Sequence, residues 1–99
     1  HYELAKKQMT MGGGIVTFEL NGDVNSVYKF INGLEMLSIT SNLGDTRSIV
    51  THPATTTHSK MDPADRLKAG ISDQLIRISV GLEDIEDIVE DIERSLNML

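Results

Sequence analysis

Hydrophobic and polar residues alternate with a period of two in parts of the chain, which is typical of β-strands. Residues 15–20 and 75–81 show this alternation, and the shorter stretch 37–41 fits a third strand. In the stretch 75–81, the side chains of Ile76 and Ile78 point to one face, because successive residues of a strand alternate between the two faces of a sheet. The pattern therefore predicts three strands, each with one apolar face.

Other stretches place their apolar residues at helical spacing and carry helix start or stop signals. Asp23 is a suitable N-cap for a helix that begins at Val24, Pro63 suits the first position of a helix, and Gly70 suits the position just after one. The predicted helices are residues 1–9, residues 24–34, the stretch from Pro63 to just before Gly70, and the stretch from Asp84 to the end of the chain.

The order of these elements predicts an α+β fold, with a small antiparallel sheet and helices packed on one of its faces. The other face must then be covered by something else or line a cleft. Residues 42–60 are rich in Thr, His and Ser and show no sustained period, so they predict a long loop. Loops of this length inside a small domain are often functional.

The composition excludes several classes of function. The chain has 99 residues, suited to a single domain, and its net charge of −6 argues against binding to nucleic acid or to anionic membrane surfaces. It has no cysteine, which excludes disulfides and thiolate chemistry. No apolar run approaches the ~18 residues of a membrane span, so we expect a cytoplasmic protein.

Arg77 is the most informative polar residue in the predicted strands. It lies with Ser79 on the face opposite Ile76 and Ile78, where its planar guanidinium could bind a carboxylate through two hydrogen bonds. The alternative is an ordinary surface arginine paired with an acidic side chain. Residues 42–45 follow a predicted strand directly, where ligand-binding turns are common, but their composition alone favours a plain turn.

Three further groups of residues favour structural roles over chemistry. His52 and His58 are six residues apart, which is not a helical metal-ligand spacing, and the sequence shows no third ligand, so we predict structural hydrogen bonds and no metal site. The threonines at positions 55–57 could contact a ligand or cap the local backbone. The acidic run 83–93 predicts a solvated helix face.

Three motifs together resemble one enzyme family over nearly the whole chain. Residues 51–58, THPATTTH, are similar to the "HPA…TH" signature of the Cys/Met-metabolism enzymes that use pyridoxal phosphate (PLP). Residues 77–84, RISVGLED, resemble the family signature "RLSVGIED", and residues 13–20, GGIVTFEL, resemble its "GG-hydrophobic-SFEL" strand. The resemblance implies the C-terminal domain of a fold-type I PLP enzyme, with residues 1–9 forming the end of the interdomain helix.

The resemblance also implies roles for individual residues. Arg77 would bind the α-carboxylate of an amino-acid substrate, Asn42 would contact the substrate, and Ser41 would lie near the distal end of the substrate. The PLP-binding lysine and the phosphate-binding residues would belong to a preceding large domain. The chain begins with His1 and matches no lysine motif of the family, so we expect part of a longer enzyme, with no catalytic residue of its own.

Within the family, residues 41–45, SNLGD, are most similar to the "NNLGD" of the O-succinylhomoserine sulfhydrylases. This implies a homotetrameric enzyme that makes homocysteine from O-succinylhomoserine or O-acetylhomoserine and sulfide or a thiol. A cystathionine γ-synthase, a cystathionine lyase and a methionine γ-lyase are alternatives within the family. A stand-alone, non-catalytic domain that binds small molecules is the alternative from another class.

Overall fold

The computed structural model describes residues 2–40 and 44–99, which form four helices, four strands and a short 3₁₀ helix. Ser41, Asn42 and Leu43 lie outside the described residues, as does His1. In chain order the elements are α1 (Tyr2–Gln8), β1 (Ile15–Glu19), α2 (Val24–Gly33), β2 (Ser38–Ile39), β3 (Ile49–Thr51), the 3₁₀ helix (Pro53–Thr55), α3 (Pro63–Lys68), β4 (Leu75–Ser79) and α4 (Ile85–Leu96).

The four strands form one sheet in the order β1-β4-β3-β2. The strand β4 is antiparallel to both of its neighbours, but β2 and β3 run parallel. The predicted antiparallel pairing is therefore found for β4 with β1 and with β3, but the β2–β3 pair departs from the prediction. In a parallel pair both strands begin at the same end of the sheet, so the chain between Ile39 and Ile49 must return to the end where β2 begins. Hydrophobic spacing carries no information about strand direction.

The hydrophobic core lies between one face of the sheet, called here the inner face, and the helices α2 and α4. Ile76 of β4 and Phe30 of α2 are completely buried, and Ile88 of α4 is 3% exposed. The core also contains Val27, Ile31, Leu37, Val50 and Ile78. Helices packed on one face of the sheet are thus confirmed for α2 and α4, and burial of these side chains supplies the main driving force for folding.

Local capping chemistry sets the helix ends where the sequence predicted them. The side chain of Asp23 accepts a hydrogen bond from the Ser26 amide at 3.0 Å, and Asp62 and Asp84 cap α3 and α4 in the same manner. The helix α3 ends at Lys68, and Gly70, just after its C-cap Ala69, has a φ of +81°. This left-handed conformation completes a Schellman turn and carries a low cost in glycine.

The predicted loop 42–60 contains regular structure that the sequence pattern did not reveal. Its residues 49–51 form β3, and the 3₁₀ helix follows at Pro53–Thr55. Ile49, Val50 and Thr51 are all buried, with at most 2% exposure. A strand of three residues buried on both faces has no polar alternation, so its sequence could not be distinguished from a loop.

Asp91 corrects the prediction that the acidic run 83–93 is a solvated helix face. Its carboxylate is 7% exposed and accepts hydrogen bonds from the backbone amides of Glu35, Met36 and Leu37, at 2.9, 3.0 and 3.3 Å. Arg94 also donates to it. Asp91 therefore connects α4 to the segment between α2 and β2. None of the helices within residues 2–40 and 44–99 has the length and apolar content of a membrane span.

Candidate functional site

Arg77 occupies the middle of β4 and faces away from the inner core. In the sheet register, Arg77 lies between Thr17 of β1 and Thr51 of β3. Directly paired residues of antiparallel strands point to the same side, so these three side chains form a row on the second face, called here the outer face. Arg77 is half-buried there, and its Nη2 atom lies 3.5 Å from Thr51 Oγ1.

The hydroxyl of Thr51 connects this row to the end of β2. It donates a hydrogen bond to the carbonyl oxygen of Thr40, while the Thr40 amide donates to the carbonyl of Val50 at 3.3 Å. Thr40 immediately precedes the segment 41–43. The guanidinium of Arg77 and the chain that leads into this segment thus contact the same buried hydroxyl.

Ser79 connects the outer face to the other side of the same segment. Its Oγ atom accepts a hydrogen bond from the Gly44 amide at 3.0 Å. Gly44 has a φ of +77°, a left-handed conformation that favours glycine. Ser41 and Asn42, predicted as substrate-binding residues, lie outside the described residues, so their contact with the substrate stays a prediction. The structure does place Thr40 and Gly44, which flank this segment, in hydrogen bonds with Thr51 and Ser79 of the outer face.

A second set of hydrogen bonds joins residues 44–48 to the chain that follows β4. The Glu83 carboxylate accepts from the Ser48 amide at 2.8 Å and from the Ser48 hydroxyl at 2.9 Å, while the Gly81 amide donates to that hydroxyl at 2.9 Å. The hydrogen bond from the Ser48 amide, opposed by burial and assisted by the Ser48 hydroxyl, lowers the pKa of Glu83. Glu83 therefore remains an anion through the neutral and mildly acidic range.

Gly81 allows this close approach because it has no side chain. A Cβ atom at this position would lie 2.4–2.6 Å from backbone atoms of Thr46, Arg47 and Ser48. Real Cβ atoms do not approach backbone atoms so closely, so any larger residue would push the two segments apart. The glycine of the RISVGLED motif is thus explained by packing, and the glutamate by its hydrogen bonds to Ser48.

His52 has a structural role, as predicted. It is 4% exposed, and its Nε2 atom lies 2.6 Å from the carbonyl oxygen of Asp73, which can only accept, so Nε2 carries a proton. Its Nδ1 atom lies 2.8 Å from the hydroxyl of Thr55. The hydroxyl of Thr56 donates to the His52 carbonyl at 2.8 Å, which favours local capping as the role of this residue.

A groove of about 480 Å³ lies beside Thr51, between α2, the β2 edge and the 3₁₀ helix. The ring of Tyr28 forms one wall and meets the His52 ring edge to face, with centroids 5.8 Å apart. The lining residues are Tyr28, Ile31, Asn32, Ile39, Thr40, Thr51, His52, Thr55 and Thr56. The sequence prediction did not include this groove, because its walls come from segments far apart in the chain.

All five lysines are exposed, and none of them lines the groove beside Thr51. Within residues 2–40 and 44–99, no group of three or more His, Asp or Glu side chains is placed to hold a metal ion.

Sequence reasoning missed Thr51, Ser48 and Glu83 as parts of this arrangement. Thr51 and Glu83 lie inside the quoted motifs, but nothing in their spacing indicates a hydrogen-bond partner. Ser48 lies outside the motifs and is completely buried. The available signal for Thr51 was its position next to His52 in a motif, which becomes informative only when the β3–β4 register is known.

Comparison with known proteins places the chain in a family. It is 46% identical over 98 residues to the O-succinylhomoserine sulfhydrylase of Pseudomonas aeruginosa. It is 44% identical over 98 residues both to the L-methionine gamma-lyase of Porphyromonas gingivalis and to the O-acetyl-L-homoserine sulfhydrylase of Leptospira meyeri. These matches cover 99%, 99% and 97% of the chain but only 24%, 25% and 22% of the three relatives.

The chain thus spans about a quarter of the length of these relatives. Residues 1–97 also match the family described as "Cys/Met metabolism PLP-dependent enzyme". The matched residues include the three motifs, Arg77 with its two neighbours in the outer-face row, and Glu83 with its hydrogen-bond partner Ser48. The chain belongs to the family of PLP-dependent enzymes of cysteine and methionine metabolism.

Proposed function

We propose that this chain is the C-terminal, substrate-binding domain of a PLP-dependent enzyme that makes homocysteine from O-succinylhomoserine, or O-acetylhomoserine, and sulfide. Arg77 carries the proposal: it is a half-buried arginine in the middle of a strand, beside a buried hydroxyl and on the face not used by the core. Similarity to sulfhydrylases of both homoserine esters supports the substrate class.

The domain contributes orientation. The guanidinium of Arg77 binds the substrate α-carboxylate through two charge-assisted hydrogen bonds, and Asn42 and Ser41 contact the rest of the substrate. A fixed carboxylate restricts rotation of the substrate about its Cα atom, so the reacting bond is held in one direction. Loss of such a clamp can cost ~100-fold in rate. The PLP-binding lysine belongs to a large domain outside this chain, and α1, which buries none of its residues, suits contact with that domain.

Methionine γ-lyase activity is the second candidate, because the identity to a methionine γ-lyase is only slightly lower than that to the sulfhydrylase, 44% against 46%. Assays of the full-length enzyme separate the two. A sulfhydrylase forms homocysteine from the homoserine ester and sulfide, whereas the lyase breaks down methionine without a sulfur donor. A synthase of cystathionine would instead require cysteine as the sulfur donor.

Substitution of Arg77 tests the proposal in the full-length enzyme. Since Arg77 lies on the outer face, Arg77→Ala should fold and retain PLP, while kcat/KM for the amino-acid substrate falls at least ~30-fold. Arg77→Lys keeps the charge but loses the planar fork, so it should also be impaired. Lys68→Ala removes an exposed cation from α3 and serves as the control. Near-normal turnover of a folded Arg77→Ala enzyme would refute the proposal.

A further inference from the structure

Thr51 is a buried polar residue whose hydroxyl makes two different contacts. Its side chain shares the outer-face row with Arg77, and the residue is only 2% exposed. The hydroxyl donates its single proton to the carbonyl oxygen of Thr40, so the lone pairs of its oxygen are left to accept. Nη2 of Arg77 lies 3.5 Å from that oxygen. The direction of both hydrogen bonds is thereby set.

We infer that Thr51 is a positioning residue, which holds the Arg77 guanidinium in the orientation that binds the substrate carboxylate. This inference rests on the proposed function of Arg77 and adds a specific partner to it. An arginine side chain has four rotatable bonds and loses considerable entropy when it is fixed. A buried acceptor beside one Nη atom reduces that freedom before the substrate binds.

The row of the sheet supplies a matched control. Thr17 lies opposite Arg77 on the other side, in β1, at the same register position as Thr51. Thr17 is exposed, whereas Thr51 is buried. A threonine-to-valine change therefore has the same chemistry at both positions and the same distance in register from Arg77. Only the change at position 51 removes a buried acceptor.

The test measures how much more tightly the full-length, PLP-containing enzyme binds an amine with a carboxylate than an amine without one. Binding of glycine and of methylamine is measured by titration of the cofactor absorbance, because the two ligands differ by the carboxylate alone. Thr51→Val should lower the preference for glycine about 5- to 10-fold, the size expected for one lost hydrogen bond. Thr51→Ser should restore most of it, and Thr17→Val should leave it unchanged.

Two results would overturn the inference. An unchanged preference in Thr51→Val, with a large loss in Arg77→Ala, would refute the role of Thr51 and leave the proposed function intact. An equal loss in Thr17→Val would show that the effect belongs to the sheet and not to the Thr51 hydroxyl. An unchanged preference in Arg77→Ala would refute the proposed function itself. If Thr51→Val does not fold, Thr51→Ala replaces it with the same expected loss.

Discussion

The two faces of β4 differ in what their side chains contact, although the residues alternate along a single strand. Ile76 and Ile78 on the inner face are 0% and 3% exposed and pack into the core with α2 and α4. Arg77 and Ser79 on the outer face make hydrogen bonds to Thr51 and to Gly44 instead. A single strand therefore stabilises the fold through one face and positions polar groups through the other.

The largest effect is expected from the inner face. Ile76→Ala should reduce the free energy of unfolding of the 99-residue chain by about 3 kcal/mol or more, because it leaves a cavity in a fully buried site. Urea unfolding followed by circular dichroism measures this. The control is Leu67→Ala, at a site that is 67% exposed, where the change should stay within about 0.5 kcal/mol. Equal effects at both sites would contradict the assignment of the core.

A smaller loss is expected at Asp91, whose carboxylate joins α4 to the segment between α2 and β2. Asp91→Ala should destabilise the chain by about 2–3 kcal/mol, since three backbone N–H groups lose their acceptor in a site that is 7% exposed. The matched control is Asp87→Ala, one turn earlier on the same helix and exposed. If the control destabilised as much, helix charge and not the buried hydrogen bonds would be the cause.

The smallest effect on stability is expected from protonation of two carboxylates, those of Asp91 and Glu83. Burial alone would raise the pKa of Asp91, but hydrogen bonds from Glu35, Met36, Arg94 and Leu37 outweigh it, so the pKa lies below its usual value. The pKa of Glu83, in the chain that follows β4, is lowered mainly by the hydrogen bond from the Ser48 amide. A lowered pKa stabilises the folded state above the unfolded-state value, and the stabilisation is lost as pH falls through the folded-state value.

Stability should therefore be constant near neutral pH and should decline below about pH 4.5, where carboxylates of the unfolded chain begin to bind protons. Unfolding in urea between pH 6 and pH 3 measures the decline. The stability of Asp91→Asn should decline less steeply with falling pH than that of the unmodified chain, because one of the two carboxylates with a lowered pKa is absent. An identical pH dependence in the two proteins would refute the contribution of Asp91.

The helices and the faces of β4 were predictable because they depend on neighbours in sequence. Asp23, Asp62 and Asp84 cap helices through amides two or three residues away. Alternation placed Ile76 and Arg77 on opposite faces in the same local manner. The motifs predicted the family, which the comparisons confirmed. The roles of Ser41 and Asn42 stay predictions.

The strand β3, the parallel β2–β3 pair and the partners of Thr51 could not be predicted. Three buried residues in a row have no alternation, and strand direction depends on the path of the connecting chain. Asp91 and Asp87 lie on the same helix and have the same side chain, yet only Asp91 is buried. What distinguishes them is contact with residues 54 to 56 positions earlier in the chain.

The starts of α2, α3 and α4, the two faces of β4 and the family could thus be predicted from the sequence alone, because capping, alternation and motifs act over a few residues. The partners of the buried polar groups, by contrast, depend on the tertiary structure. Thr51 bonds to Thr40 across β2 and β3, and Glu83 bonds to Ser48 from beyond the end of β4. These contacts join residues that are distant in sequence, and they form only because the packed sheet brings such residues within hydrogen-bond distance.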